Sequence, residues 1–438
     1  MHKILFTTLF IITSFFSFSQ TCWKIENEYG DEILLTINVN NAKKTFEAYT
    51  RKDALKDIAG SFMYTVAKTA GKLKYAEIVY IEGTTHRKSD SLFLNGMFYY
   101  FDKQFVFSAA ISGNSFKGKY TDRNKPRLLM GVKMPNDKPI RDYTSIINSA
   151  FSITEKNLVN PSWLKSSEWA GFKRSINELK PVISDDYELA AAFFWLGKKL
   201  PFSPYEINKV NQQRSAVRQR KVTVRELKPS VALLDANTLP VTKKEVDSIA
   251  AIIEKKGYSI LVVDLRGNYR QNPFAANELA NYLSAKAINA GVYLTRKWFD
   301  TNIGLPKVQD YKRMLPDFPD GVYKPGELYK RQGYPLSIVP GKKVFRGKVY
   351  ILTDSKTSKA FETLAYLLKR EKMATLVGQK TAGFSMITES LVINDEYNLL
   401  IPIADFYDYE GKSFAKIGVD PDIHVSDGDA LKYILKTL

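Results

Sequence analysis

A serine and a lysine stand side by side where a buried strand is expected to give way to a helix. Ser358 and Lys359 follow the apolar run 348–353 and open a segment with helical spacing over 358–370. A serine hydroxyl becomes a nucleophile when a neighbouring base takes its proton, and a lysine amine can serve as that base. Neighbours on a helix point about 100° apart, so Ser358 and Lys359 cannot form such a pair directly.

Other arrangements of these residues remain open. Ser355 lies four residues before Lys359 and would meet it if the loop were helical, and Lys380 could approach from the following segment. Alternatively, Ser358 caps the helix and Lys359 is a solvated or anion-binding residue. A cation in the first turn opposes the helix macrodipole, and a cleft with two lysines and free helix N–H groups would favour a carboxylate.

The elements around these residues alternate between strands and helices. The ranges 258–264, 348–353 and 374–378 are apolar runs typical of strands buried on both faces. Segments with helical spacing lie at 242–256, 272–285 and 358–370. The alternation predicts a mainly parallel sheet that contains the strands ending at Asp264 and Thr353. The stretch between 290 and 345 shows no clear period, which is typical of a binding or lid element.

Four motifs in this half of the chain resemble those of the tail-specific (C-terminal-processing) serine peptidases. In chain order, they are the buried strand and Asp-Leu-Arg-Gly-Asn turn at 260–268, the strand and helix at 348–362, the segment 374–383 and the Gly-Val-Asp-Pro-Asp sequence at 418–422. Their order and spacing are those of the family, and no segment resembles the PDZ module that many members carry. The resemblance implies a ClpP/crotonase-like spiral core and peptidase chemistry for residues 220–438.

The positions at which that family carries its catalytic residues are occupied by other residue types. The resemblance places the nucleophile three residues before Glu362, at Lys359, and a lysine base directly after Gly383, at Phe384. A histidine found in relatives that lack the PDZ module would fall at Pro204. The histidines of this chain, His2, His86 and His424, stand elsewhere. The resemblance therefore implies a degenerate site, in which Ser358 is the first candidate for a displaced nucleophile.

The same resemblance implies a cleft for the oxyanion and the substrate. Its residues would be Gly267, Asn268, Ala360, Lys380, Thr381 and Gly383. The family usually continues after Asn268 with glycines that let the backbone approach the oxyanion, whereas Tyr269 and Arg270 carry side chains into that space. No metal or cofactor is implied.

The rest of the chain predicts an α+β protein with several domains. Residues 23–135 have the spacing of a β meander with one helical pass, which predicts a small β sandwich or an open barrel. Residues 140–210 have helical spacing and predict a small helical bundle. With the segment 220–438, this makes three domains after the N-terminal twenty residues.

The N-terminus predicts export. Residues 1–20 run from a basic start through an apolar stretch to small and polar residues, the order of a cleaved signal peptide. The lone Cys22 cannot form an internal disulfide, and its preceding residues differ from the usual lipoprotein signal. No later stretch is long and apolar enough to cross a bilayer, so we expect a soluble periplasmic or extracellular protein. The oligomeric state cannot be predicted.

The net charge of +18 is spread along the chain, and its densest run, 214–225, lacks aromatic residues, glycines or a binding motif. We therefore expect a solvated basic surface and no nucleic-acid partner.

Three functions follow as hypotheses. The first is a non-catalytic peptidase homologue that binds peptides or protein C-termini through a carboxylate. The second is an active serine endopeptidase with a displaced nucleophile. The third is a structural or surface-binding protein that acts through its β domain.

Overall fold

The computed structural model describes residues 18–122, 124–135, 141–210, 223–235, 243–268, 275–302, 304–311, 314, 328–426 and 428–438. The described chain divides into two compact units. The first comprises Met1–Tyr143 with Leu179–Ala192, and the second comprises Thr144–Glu178 with Phe193–Leu438. The division into domains at 23–135, 140–210 and 220–438 stays a prediction.

The first unit contains a closed antiparallel barrel. Among its described residues, eight strands pair in chain order: β1 (Phe18–Asn27), β2 (Glu32–Asn40), β3 (Thr45–Tyr49), β4 (Val79–Lys88), β5 (Ser91–Tyr100), β6 (Lys103–Ser112), β7 (Ser115–Asp122) and β8 (Lys125–Met134). Strand β1 also pairs with β8, from Cys22 opposite Met134 to Asn27 opposite Leu129. This pairing completes the ring, so the predicted β domain is confirmed as a barrel, while the sandwich alternative and the open form of the barrel are wrong.

Alternation along the strands fills the barrel interior. In β2, the buried side chains Ile33, Leu35, Ile37 and Val39 alternate with more exposed residues, as expected for a strand with one face in a core. Gly83 and Gly96 lie opposite each other on β4 and β5. A Cβ atom on Gly83 would lie 2.0 Å from the Asn95 carbonyl oxygen, so this close approach of two strands requires glycine.

Helices α1 (Ala54–Ala59) and α2 (Ser61–Thr69) form the predicted helical pass between β3 and β4. The segment Leu179–Ala192, which includes the start of helix α5 (Asp186–Gly197), also belongs to this unit. The carboxylates of Asp185 and Asp186 accept hydrogen bonds from the backbone N–H groups of Leu34 and Glu32 on β2, at 3.0 and 2.8 Å. Buried acidic side chains therefore fasten this segment to the barrel.

The second unit begins with helical elements. Helix α3 (Thr144–Asn157), a 3₁₀ helix (Pro161–Lys165) and helix α4 (Ser167–Leu179) are followed by the end of α5. Trp169 and Phe172 stack with ring centroids 5.6 Å apart, and Phe172 also contacts Phe193 and Tyr205 edge-on. This aromatic core joins the helices to the chain that leads into the sheets of the unit.

The centre of the second unit is a mostly parallel sheet. In the described part of the chain it has the order β10 (Thr223–Lys228), β11 (Val231–Asp235), β12 (Ile260–Asp264), β15 (Lys348–Thr353), β16 (Thr375–Gly378) and β19 (Ile423–His424). Strands β12 and β15 pair in parallel, with Asp264 opposite Leu352, which confirms the prediction that they share one sheet. Helices α6 (Lys243–Lys256), α7 (Ala275–Leu283), α10 (Ala360–Arg370) and α11 (Ala430–Thr437) alternate with these strands or follow the last of them along the chain.

A second sheet of this unit has the order β14 (Gly333–Ile338), β13 (Ile288–Thr295), β18 (Tyr397–Tyr407) and β17 (Ile387–Val392), and β9 (Glu206–Lys209) also pairs with β18. Short helices α8 (Arg296–Thr301) and α9 (Val308–Tyr311) and a 3₁₀ turn (Leu328–Lys330) accompany it. The expectation of an irregular stretch over 290–345 is therefore wrong at β13 and β14. From Ala290 to Thr295 every side chain of β13 is buried, so its sequence shows no alternation.

The predicted fold class is confirmed: a β barrel, helices and an α/β C-terminal region occur in the predicted order. Across the described residues, no helix combines the length and apolar character needed to cross a membrane.

Candidate functional site

The loop between β15 and α10, residues 354–359, ends in an unusual backbone conformation. We call this loop the elbow. Lys359, its last residue, has φ +61° and ψ −129° and stands immediately before the first residue of α10, Ala360. Residues other than glycine rarely adopt such a backbone conformation, which costs on the order of 1–3 kcal/mol and occurs most often at functional sites. Lys359, where the resemblance places the nucleophile, is therefore held in a conformation that its own residue type disfavours.

Hydrogen bonds on both sides fix Lys359 in this conformation. Its backbone N–H donates to the carbonyl oxygen of Phe384 at 2.8 Å. Its carbonyl oxygen accepts from the N–H groups of Glu362 and Thr363, both at 3.1 Å, and so starts the helix. The structure thereby brings together the positions at which the resemblance places the nucleophile and the lysine base. Phe384 takes part through its backbone, while its side chain is 39% exposed.

The start of the elbow is tied to the turn that follows β12. The Asp354 carboxylate accepts from the N–H of Gly267 at 2.9 Å and from the N–H of Thr357 at 2.8 Å. The Thr357 hydroxyl donates to the Leu265 carbonyl oxygen at 3.0 Å. The N–H of Ser358 donates to the carbonyl oxygen of Asn268 at 2.9 Å. Two predicted cleft residues, Gly267 and Asn268, therefore lie directly against the elbow.

A buried carboxylate ties the first turn of α10 to the segment that contains the other predicted cleft residues. The Glu362 carboxylate accepts from the Thr381 hydroxyl, from the N–H of Gly383 at 2.6 Å and from the N–H of Phe384 at 2.8 Å. Burial raises the pKa of Glu362 to about 7, against these hydrogen bonds, which favour its charged form. Glu362 thus positions both Lys359 and Phe384.

The charge of Lys359 depends on its burial and on Glu206. Burial lowers the pKa of the Lys359 ammonium group to about 8, and the negative charge of Glu206 opposes this shift. Glu206 is the first residue of β9 and lies two residues after Pro204. Glu206 was not predicted from the sequence. The signal that could have found it is its place two residues after Pro204, where the resemblance puts a catalytic histidine.

Two expectations for the serines are wrong. Lys359, not Ser358, is the N-cap residue of α10, and no side chain caps the helix. The elbow is not helical, so Ser355 and Lys359 do not have the spacing of successive helical turns. The Ser358 side chain is only 3% exposed, which limits access of a substrate to its hydroxyl.

Two residues of the predicted cleft, Ala360 and Lys380, remain to be placed. Ala360 is buried as the first residue of α10. Lys380 is exposed and forms an ion pair with Asp420 at 3.3 Å. The predicted obstruction by Tyr269 and Arg270 lies outside the described residues.

The part of the chain that forms this site is similar to a known protein family. Residues 230–425 match the model of peptidase family S41, which confirms the predicted family resemblance. This segment includes the elbow, the carboxylates of Asp354 and Glu362 and the turn after β12. The barrel and helices α1 to α5 lie outside the match.

Solved structures show weaker similarity. A lipoprotein from Streptococcus agalactiae aligns with 70% of this chain and 98% of its own, at 14% identity and a TM-score of 0.44. A putative peptidase from Parabacteroides merdae aligns with 67% of this chain and 93% of its own, at 13% identity and a TM-score of 0.47. A photosystem II D1 C-terminal processing protease aligns over 65% and 93%, at 13% identity and a TM-score of 0.39.

Proposed function

We propose that this protein is a non-catalytic homologue of the S41 peptidases that binds peptides through a carboxylate group at Lys359. One observation supports the proposal above all others. A half-buried lysine occupies the elbow immediately before α10, in a strained backbone conformation, at the position where the family carries its nucleophile. A residue without a role there would be replaced at little cost by glycine, which adopts a positive φ freely.

The chemistry around the elbow favours binding over hydrolysis. Peptide hydrolysis by a serine needs an accessible hydroxyl and a base within hydrogen-bonding reach. The hydroxyl of Ser358 belongs to a side chain that is 3% exposed, and Phe384 stands at the position of the lysine base. Pro204 aligns with the histidine of other relatives and cannot act as a base. An active endopeptidase that uses Ser358 is the alternative.

The elbow provides the groups that a carboxylate needs. An ammonium group with a pKa of about 8 is mostly charged at neutral pH. The first N–H groups of a helix lack intrahelical acceptors and point out of its N-terminus, where the macrodipole also favours a negative charge. Lys359 therefore places a cation directly before the N-terminus of α10, where the macrodipole also favours a negative charge. A peptide C-terminus is a ligand with the matching charge.

Peptide retention by the immobilised full chain tests this function. One pool of peptides is offered with free C-termini and the same pool with amidated C-termini, and retained peptides are identified by mass spectrometry. We expect the free pool to be retained by the wild type and not by Lys359→Gln. Lys372→Gln, which removes an exposed lysine beyond the C-terminal end of α10, is the matched control and should behave as the wild type. Equal retention of free and amidated peptides would refute the proposal.

We also propose that the protein is exported. The order of residues 1–20 supports this, and the first buried barrel residues of β1, Trp23 and Ile25, come after the expected cleavage region. Cleavage would then leave the barrel core intact. N-terminal sequencing of the protein purified from its native source should give a start between about residues 19 and 23. A native protein that starts at Met1 would contradict export by this route.

A further inference from the structure

The outer face of the barrel carries a row of exposed apolar side chains on strand β8. Leu128, Met130 and Val132 are 53%, 58% and 57% exposed. Residues two apart on a strand point to the same side, so the three form one line on the outer face, while Leu129 between them is buried. Single exposed apolar residues are common on soluble proteins, but three in successive outward positions form a patch. We call it the β8 patch.

Lysines lie directly beside the β8 patch. On the neighbouring strand β7, Lys119 pairs with Leu128 and Lys117 pairs with Met130. Both lysines are exposed, and neither forms an ion pair with another residue in the part of the chain that the structure describes. Opposite residues on paired strands point to the same side of the sheet, so the two ammonium groups flank the apolar row. The face combines apolar side chains with an uncompensated positive charge.

The carboxylates near the patch are engaged elsewhere or lie on its far side. On strand β1, Lys24 lies opposite Val132 and Glu26 lies opposite Met130. Lys24 forms an ion pair with Glu32, and its ammonium group is also 3.9 Å from Glu26. Because Lys24 is shared by Glu26 and Glu32, these three side chains carry a net charge of −1, and the two lysines on β7 leave this side of the barrel positive.

The geometry of the barrel limits what can cover this face. Each described strand of the barrel is paired on both sides, so a peptide cannot add to a free strand edge there. The interior is filled by large buried side chains, among them Trp23, Phe98, Phe107 and Phe116, so the patch is not the rim of a lumen. A ligand must therefore meet a convex surface whose features are apolar side chains and positive charge.

We propose that the β8 patch docks onto an anionic lipid surface. Leu128, Met130 and Val132 enter the boundary between headgroups and acyl chains, and Lys117 and Lys119 contact the lipid phosphates. A bilayer surface needs no matching groove, and its negative charge complements both these lysines and the net charge of +18 of the chain. This role of the barrel is independent of carboxylate binding at Lys359.

Vesicle sedimentation of the full chain tests the proposal. The vesicles are either phosphatidylcholine alone or phosphatidylcholine mixed with phosphatidylglycerol. We expect the wild type to bind the mixed vesicles and to bind pure phosphatidylcholine at least about tenfold more weakly. The triple variant Leu128→Ser, Met130→Ser, Val132→Ser should lose at least about tenfold in affinity for the mixed vesicles.

Two further variants keep the test decisive. Lys117→Gln with Lys119→Gln should remove the preference for phosphatidylglycerol, and this variant remains informative if the triple variant fails to fold. Val339→Ser with Val392→Ser changes two residues of the other unit that are 60% and 71% exposed, and it should bind as the wild type. The proposal is overturned if the wild type does not bind mixed vesicles or if the patch variants bind as tightly as the wild type. It is also overturned if light scattering shows that the patch joins two copies of the chain.

Discussion

The backbone N–H of Lys359 donates a hydrogen bond to the carbonyl oxygen of Phe384 at 2.8 Å. This contact joins the two positions at which S41 relatives would carry a nucleophile and a lysine base. The backbone contact between the two positions is therefore present, while Lys359 and Phe384 stand where the resemblance places the nucleophile and the base. The buried Glu362 carboxylate accepts a hydrogen bond from the N–H of Phe384 and so stabilises the same pair of backbone segments.

The strain at Lys359 gives a prediction about stability. Because the φ of Lys359 is +61°, the alanine variant keeps the backbone strain and the glycine variant does not. We therefore expect the free energy of unfolding of Lys359→Gly to be about 1 kcal/mol higher than that of Lys359→Ala. Urea unfolding of the two variants measures this difference directly. Lys356 in the same loop is exposed and lacks a positive φ, so Lys356→Gly should be no more stable than Lys356→Ala. The strain is absent if the alanine variant at 359 is as stable as the glycine variant.

The charge of Glu206 should set the pH at which ligand binding is lost. The ammonium form of Lys359 is present below its pKa of about 8, so affinity for a free peptide C-terminus should fall as the pH rises through that value. Glu206 raises the pKa of Lys359, so Glu206→Gln should move the midpoint of this loss to lower pH. Titration calorimetry across the pH range measures both midpoints. Glu396→Gln, near the other end of the β9–β18 pairing, is the control, and an unchanged midpoint in Glu206→Gln would contradict this coupling.

Glu362 should make stability depend on pH. Its pKa in the folded protein is raised to about 7, above its ordinary value of 4.5. The stability that this group contributes is therefore fully present below about pH 4.5 and is lost as the pH rises through about 7, by about 3 kcal/mol in total. Relative to Glu362→Gln, which cannot ionise, the wild type should lose unfolding free energy over this interval.

Urea unfolding at several pH values measures that loss. The exposed Glu410, changed to Gln, serves as the control, since its removal should leave the pH dependence of the wild type unchanged. If the difference between the wild type and Glu362→Gln is constant with pH, the pKa of Glu362 is the same in the folded and the unfolded protein and this explanation fails.

Restoring the family's serine should not restore catalysis. In Lys359→Ser the hydroxyl would stand at the elbow, but Phe384 and Pro204 would still provide no base, and a hydroxyl without a base stays protonated near neutral pH. We expect no labelling of the wild type, Lys359→Ser or Ser358→Ala by a fluorophosphonate probe. Time-dependent labelling of the wild type that Ser358→Ala abolishes would establish the endopeptidase alternative instead.

Sequence alone predicted the scaffold of this site better than its electrostatics. The strands ending at Asp264 and Thr353 could be predicted because continuous apolar runs identify strands buried on both faces. The positive φ of Lys359 could not, because lysine gives no sign of that conformation and tertiary hydrogen bonds impose it. Glu206 was missed for a similar reason: its approach to Lys359 depends on the pairing of β9 with β18, which are far apart in sequence. The closure of the barrel likewise depends on a pairing between its first and last strands.

A crystal structure of the wild-type protein with a bound short peptide that has a free C-terminus tests the central claim most directly. We expect the peptide to be bound intact, with a terminal carboxylate oxygen about 2.8 Å from Nζ of Lys359 and facing the start of α10. A peptide whose carboxylate lies away from Lys359, or a cleaved peptide joined to Oγ of Ser358, would contradict it.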